Sequence, residues 1–412
     1  MSSRNPQGGA PPDTLPAALT AYLAGQQEAM REALRRLVLI PSGTGHKPGV
    51  DALCREVYAL LAGLPLERRI LPQERYGDML IAAVRPAERA PRILLAGHMD
   101  TIFPADSPFS GWQEDERNFY GPGVVDMKGG IVAGVFALRA LDRLGLLSGL
   151  PVTWLLNSEE EIGSPVSRGL YAEEAKRSAM AFVLEPTGTR GEVTTGRKGR
   201  LGMKIFSRGQ GGHAAMVVEG KKSAILDLAR VIVELEGLNG AFPAVSVNVG
   251  QMAGGITPNS VAAEAWATID VRSANAEGFA FFRARLEELL VRRGREGMEL
   301  QVEAVTEVPV MAATKQNRAL YAVISREAAR LGISIVEQFR SGASDANFIA
   351  AAGVPVVDSL GPIGGHGHSD REYLLRESLT QRSALLALSL LAAWQRYEAG
   401  TLFPGGSSGT AE

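Results

Sequence analysis

Short apolar runs that stop abruptly at polar or acidic residues recur along this chain. Ile93 to Ala96 is uniformly apolar, as expected for a strand buried on both faces of a parallel sheet. The run ends at Gly97. His98 and Asp100 follow two apart, so on an extended backbone they share a side. The design returns at 152–157, which leads into Ser158-Glu159-Glu160-Glu161, and at 180–184, which leads into Glu185-Pro186-Thr187. It returns again at 355–359, ahead of a Gly-rich stretch through His366 and His368. Helical spacing separates these runs. Over 17–39 it places Leu19, Tyr22, Leu23, Met30, Leu34 and Leu37 on one face, and it recurs over 50–61, 131–144, 317–331 and 378–399. A strand pair is expected over 69–84, turning near Tyr76-Gly77-Asp78. Strands alternating with helices predict an α/β fold with a largely parallel sheet. In such sheets, sites form at the carboxyl ends of strands.

From Gly196-Arg197-Lys198-Gly199 the texture changes. An alternating strand over 201–207, a Gly-rich loop over 209–215 and a helix over 223–235 come first. Strands over 245–250 and 260–271, a helix over 276–293 and a strand over 299–307 follow. This order suggests a compact α+β insert at 197–310. It divides a main domain into 17–196 and 311–402, with disordered ends expected at 1–16 and 403–412.

The 412 residues are 45% hydrophobic, ample for a sizeable core, and carry a formal net charge of −2. No Lys/Arg run of nucleic-acid type occurs, so no nucleic-acid partner is expected. Cys54 is the one cysteine, which excludes an intrachain disulfide, and its helical spacing reads as a small core residue. The first sixteen residues lack the basic and apolar regions of a signal peptide. No apolar run reaches the roughly 18 residues of a membrane span. A cytoplasmic, soluble protein with no membrane partner is expected.

The candidate chemistry lies at the run ends. Gly121-Pro122-Gly123 forces a turn, and Asp126 stands just before the 131–144 helix. Glu159, Glu160 and Glu161 repel one another unless cations compensate. His98, Asp126, Glu160, Glu161, Glu185, His366 and His368 form a mixed His/carboxylate set of the kind that suits Zn²⁺. Two imidazoles and three carboxylates fit two metals bridged by one carboxylate, with a spare glutamate as base. Paired metals about 3.5–4 Å apart are a recurring hydrolytic device.

Five motifs together carry a resemblance that covers about residues 20–400. They are Gly97-His98-Met99-Asp100-Thr101, Tyr120-Gly121-Pro122-Gly123 through Asp126-Met127-Lys128-Gly129-Gly130, Glu160-Glu161-Ile162-Gly163-Ser164, Glu185-Pro186-Thr187 and His368-Ser369-Asp370. The chain resembles the co-catalytic zinc amidohydrolases that include glutamate carboxypeptidase, acetylornithine deacetylase, succinyl-diaminopimelate desuccinylase and aminoacylase. The resemblance implies a zinc-exopeptidase-like catalytic domain, a ferredoxin-like insert serving as lid and dimerisation domain, and two Zn²⁺ per subunit, with Co²⁺ or Mn²⁺ as substitutes. It implies that His98, Asp126 and Glu185 hold one ion, that Asp126, Glu161 and His368 hold the other, and that Asp126 bridges. Asp100 would orient His98, and Glu160 would be the general base. Glu159 stands where the family usually has Asp, and His366 matches no ligand position. His213 matches a histidine that in relatives reaches the partner's site of a homodimer, while Asn259 and Arg272 match substrate-binding lid positions. The Gly254 to Asn259 stretch departs from the commoner Asn-Val-Ile-Pro ending, since Ser260-Val261 follows.

The wording of the first two motifs is most similar to the glutamate carboxypeptidase group. Release of a C-terminal glutamate, or a similar amino acid, from an N-acyl or peptidyl group is therefore the expected activity. An N-acyl-amino-acid deacylase and a dipeptidase are the alternatives. A non-catalytic binding protein on the same scaffold would show loss of Glu160 or of a ligand, and none is lost.

Overall fold

The computed structural model describes residues 14–216, 220–243, 245–295 and 298–403. Residues 1–13 and 404–412 of the ends expected as disordered therefore lie outside the described residues. Leu15 and Pro16 instead open the first helix, where Pro loses no N–H that the helix would use. The chain divides into two compact units, Met1–Gly196 with Ala313–Phe339 and Ser344–Glu412, and Arg197–Ala312 with Arg340–Ala343.

A six-stranded sheet centres the first unit, in the order Leu66–Leu71, Met79–Val84, Val152–Asn157, Arg92–His98, Ser178–Val183, Val356–Val357. The last four run parallel and the first two antiparallel. Every residue of the Met79, Val152 and Arg92 strands is buried, which explains why their sequences are apolar without alternation. Register sets His98 beside Asn157, and Leu184 N–H donates to the Ala96 carbonyl. The strands before His98, Ser158 and Glu185 thus end along one edge. Helix Gly130–Arg143 lies against this sheet so closely that a Cβ added at Gly134 would stand only 2.5 Å from the Trp154 ring. Helix Arg376–Glu398 packs beside it.

Several expectations are corrected. The 17–39 helix is two, Leu15–Ala24 and Gln27–Val38, broken at Gly25-Gln26 while both apolar stripes still face the core. Helix Ser167–Lys176 was not expected, because it buries only Ser167, Tyr171 and Ala175 and so shows little periodicity. A small sheet of Gly364–Gly365, Tyr373–Leu375, Asn118–Tyr120 and Gln113–Glu114 was also missed. Its strands are too short to carry a pattern. It matters because it pairs Tyr120 with Tyr373.

The second unit is a four-stranded antiparallel sheet, in the order Ser246–Gly254, Glu264–Ser273, Gly199–Arg208, Glu299–Val308. Helices Ala224–Glu236 and Ala276–Arg295 pack on it. Strand Glu264–Ser273 alternates buried and half-buried residues, and Ile205, Leu228, Val231, Ala267, Val271 and Phe282 share a separate core. The expected 260–271 strand is two pieces, since Ser260–Val261 leaves the sheet to pair with Gly212–His213. The unit ends at Ala312 rather than 310 and takes in Arg340–Ala343, through Lys198 N–H donating to the Arg340 carbonyl. Among the described residues no helix is long and apolar enough to cross a membrane.

Candidate metal centre

The first unit brings together the ligand-type residues read from the strand ends. The donor atoms of His98, Glu160 and Glu185 lie within 4.8 Å of one another, as do those of His98, Asp126 and Glu161. His98 Nε2 is 3.3 Å from Asp126 Oδ1 and 3.6 Å from Glu185 Oε1. His368 Nε2 approaches from the other side, 3.3 Å from Asp126 Oδ2 and 3.0 Å from Glu161 Oε2. The two oxygens of Asp126 therefore face different imidazoles. Asp126 sits where the turn after Gly123 enters helix Gly130–Arg143, and His368 sits on a turn at positive φ (+63°).

Asp100 is buried behind His98 and does two jobs. His98 Nδ1 lies 3.0 Å from its carbonyl and 3.4 Å from its carboxylate. The carboxylate also accepts the Glu160 and Glu161 N–H groups, both at 3.2 Å, and the Thr44 hydroxyl at 2.7 Å. One carboxylate thus orients the imidazole and pins the turn that carries two further acids.

The cluster demands positive charge. Burial pushes the Glu160 carboxyl well above the carboxylate range, and the Glu185 charge adds to it. Burial and Asp126 raise Glu161 against the pull of His368. Burial alone would lower His98, but Asp100, Asp126 and Glu185 more than reverse it. Donating to Asp126 and Glu161 carries His368 to about 10. Protons on acids and imidazoles are substitutes for cations in such a place. Four carboxylates and two imidazoles converging in a mostly buried pocket fit divalent metal.

The remaining expected residues fall elsewhere. His366 is exposed at φ +57° and its ring meets that of Tyr373 at 5.9 Å. Glu159 is fully buried and accepts the Val166 and Ser167 N–H groups at 3.2 and 2.6 Å. His213, Asn259 and Arg272 belong to the second unit. There His213 and Asn259 share one corner: His213 pairs with Ser260, and Ala214 N–H donates to the Asn259 carbonyl at 2.9 Å. The exposed His213 accepts from Ala215 N–H at 3.2 Å through Nδ1. Arg272 lies at the far end of strand Glu264–Ser273. Its guanidinium binds Asp270 at 2.9 Å and the Ser341 carbonyl at 2.9 Å. Asp270 also binds Arg200 at 2.5 Å.

Sequence reasoning missed the supports. Thr44 holds Asp100. Asp345, at the start of a helix capped by Ser344, accepts from Ser164 at 2.5 Å and Asn157 at 3.0 Å behind the Glu160 turn. Glu372 accepts three backbone N–H groups around Asp126. A faint signal existed only for Glu372, four residues after His368 in the same polar stretch.

Comparison with known proteins adds four findings. The model of peptidase family M20/M25/M40 matches residues 94–392. Carboxypeptidase G2 of Pseudomonas sp. (strain RS-16) is 27% identical over 377 residues, 89% of each chain. Succinyl-diaminopimelate desuccinylase of Pseudomonas syringae pv. syringae is 27% identical over 358 residues, 80% of this chain and 90% of its own. In structure, aminopeptidase PepT from Bacillus cereus superposes with a TM-score of 0.72 at 21% identity, covering 89% of this chain and 98% of that one. That likeness speaks to the fold.

Proposed function

The chain belongs to peptidase family M20/M25/M40 and is a metal-dependent hydrolase, and from that premise we propose that it releases a C-terminal amino acid, glutamate favoured, from N-acyl or peptidyl substrates. The observation that carries the hydrolytic part of this reading is the split of the acidic run. Glu161 turns to His368, while Glu160, pinned to Asp100 by its N–H, stands with His98 and Glu185. Two ions, zinc favoured, would be held by His98, Asp126 and Glu185 and by Asp126, Glu161 and His368. When bound they supply charge that polarises an amide carbonyl and acidifies water.

The chain's own groups do the rest. Glu160 takes the proton of the attacking water and returns it to the leaving amine. Asp100 keeps the His98 ring in place and fixes the Glu160 turn. Arg272 clasps the substrate's free carboxylate, for which a guanidinium fork is well shaped, and Asn259 binds substrate from the corner it shares with His213. His213 acts across a homodimer formed by the second unit, donating to the oxyanion of the partner's reaction. The protein works in the cytoplasm on small acylated amino acids or peptides.

The motif wording and the similarity to a carboxypeptidase over most of both chains support glutamate release. The desuccinylase similarity, almost as extensive, favours a second reading as an N-acyl-amino-acid deacylase. One panel separates them: N-acyl amino acids whose C-terminal residue is varied first and whose acyl group is varied second. We expect C-terminal glutamate to give the largest kcat/KM, with activity abolished by a chelator and restored by zinc. A rate governed by the acyl group and indifferent to the C-terminal residue would favour the deacylase. Hydrolysis unaffected by complete metal removal would sink both.

A further inference from the structure

Glu372 is fully buried and stands outside the ligand set. Its Oε2 accepts the Gly123 N–H at 3.0 Å, and its Oε1 accepts those of Val125 at 2.9 Å and Asp126 at 3.0 Å. A buried carboxylate is costly unless it is fully hydrogen-bonded, and this one is bound entirely to the backbone around Asp126. We propose that Glu372 is a positioning residue for the metal pair: it fixes the backbone from which Asp126 would reach both ions and ties that backbone to the turn carrying His368. The proposal rests on the reading of Asp126 as the bridging ligand.

The geometry forms a closed ring. Asp126 Oδ2 meets His368 Nε2 at 3.3 Å, and four residues further along the same turn Glu372 returns to the Asp126 N–H. The turn is compact, because Ser369 N–H donates to the His366 carbonyl and Glu372 N–H to the Ser369 carbonyl. Its base is closed by Tyr373 pairing with both Gly365 and Tyr120. The Asp126 loop is equally confined. Gly123 sits at φ +70°, and a Cβ there would stand 2.5 Å from the Thr101 methyl, so only glycine fits. Lys128 N–H donates back to the Gly123 carbonyl, and buried Lys128 Nζ holds the Ile40 carbonyl. Through Glu372, the separation of Asp126 from His368 becomes a property of two interlocked turns. Such outer groups typically govern metal affinity by about 10–100-fold.

The test is calorimetric titration of zinc into metal-free protein, comparing the native chain with Glu372→Gln. The neutral isostere cannot accept all three N–H groups. We expect two zinc equivalents in the native chain. In Glu372→Gln we expect folded apoprotein, zinc affinity weakened about 10–100-fold, and loss of kcat that saturating zinc largely restores at unchanged KM. A merely structural role would not produce metal rescue. Zinc affinities within twofold of native overturn the proposal. If Glu372→Gln does not fold, Glu372→Asp replaces it with the same expectation; failure of both to fold overturns the proposal in favour of a structural role. A native chain that takes up fewer than two ions overturns the metal-pair reading first, and this proposal with it.

Discussion

Asp100 holds the N–H groups of Glu160 and Glu161 together, yet their side chains leave toward different partners, and that separation makes adjacent acids testable. Glu160→Gln should keep both metals and lose about 10²–10⁴ in turnover, because only proton transfer is removed. Glu161→Gln should weaken one metal instead. Zinc stoichiometry read beside kcat checks both, and metal loss tracking Glu160 would shift the assignment by one residue. Asp126→Ala should lower stoichiometry more than His98→Ala, since it faces both imidazoles. Cys54 offers a plainer test. Burial pushes its thiol up to about 12, so the thiolate that reacts is scarce. A thiol reagent should modify the native protein slowly and the denatured chain at once; rapid native labelling would contradict the buried placement. His98, Glu160, Glu161 and Glu185 were legible because each stands at or just past the end of an apolar run, Asp126 because a Gly/Pro turn delivers it to a helix, and His368 because it lies in a Gly-rich stretch after such a run. Their supports were not. Glu372 lies 246 residues from Asp126, and no local spacing announces such a partner.

Helix Asp345–Ala351 begins with a carboxyl driven inward. Asp345 receives Ser164 and Asn157, and Asn157 also reaches Ser167, so the short helix, the Glu160 turn and helix Ser167–Lys176 meet at one carboxyl. Burial raises Asp345 from the ordinary 3.8 to about 7. A carboxyl raised on folding keeps its proton in the native state between those values while the unfolded chain loses it. Stability therefore falls as pH rises from about 4 to 7, by up to about 1.4 kcal/mol per pH unit for one proton. In metal-free protein, Asp345→Asn should flatten the pH dependence of Tm by that share. An unchanged slope would show that Asp345 ionises normally. Element existence was legible where length and burial make a pattern, as in the sheet strands. It failed where they do not. The break at Gly25 leaves both stripes in phase with the core, helix Ser167–Lys176 has almost no apolar face, and strands of two or three residues have no period at all.

At the scale of the whole molecule, two cores imply a division of labour that the change from continuous to alternating apolar patterning announced. The return of Arg340–Ala343 to the second unit was not legible, because backbone pairing recruits it irrespective of side chains. The second unit also exposes apolar side chains beside an edge strand. Val233 is 72% exposed on helix Ala224–Glu236, and Met252 is 54% exposed on Ser246–Gly254, the sheet's terminal strand. An edge strand with exposed apolar side chains suits pairing with a second copy, which supports the proposed homodimer. If His213 works across that dimer, His213→Ala should keep zinc and fold but lose roughly 10²–10³ in turnover, the scale of one oxyanion donor. Glu160→Gln should be inactive for a separate reason. Mixing the two inactive proteins should then restore part of the activity, because a mixed dimer has one site with an intact Glu160 and a partner's intact His213. Differently tagged chains establish that subunits exchange. Exchange without recovered activity would place His213 in its own subunit's site or remove it from the chemistry.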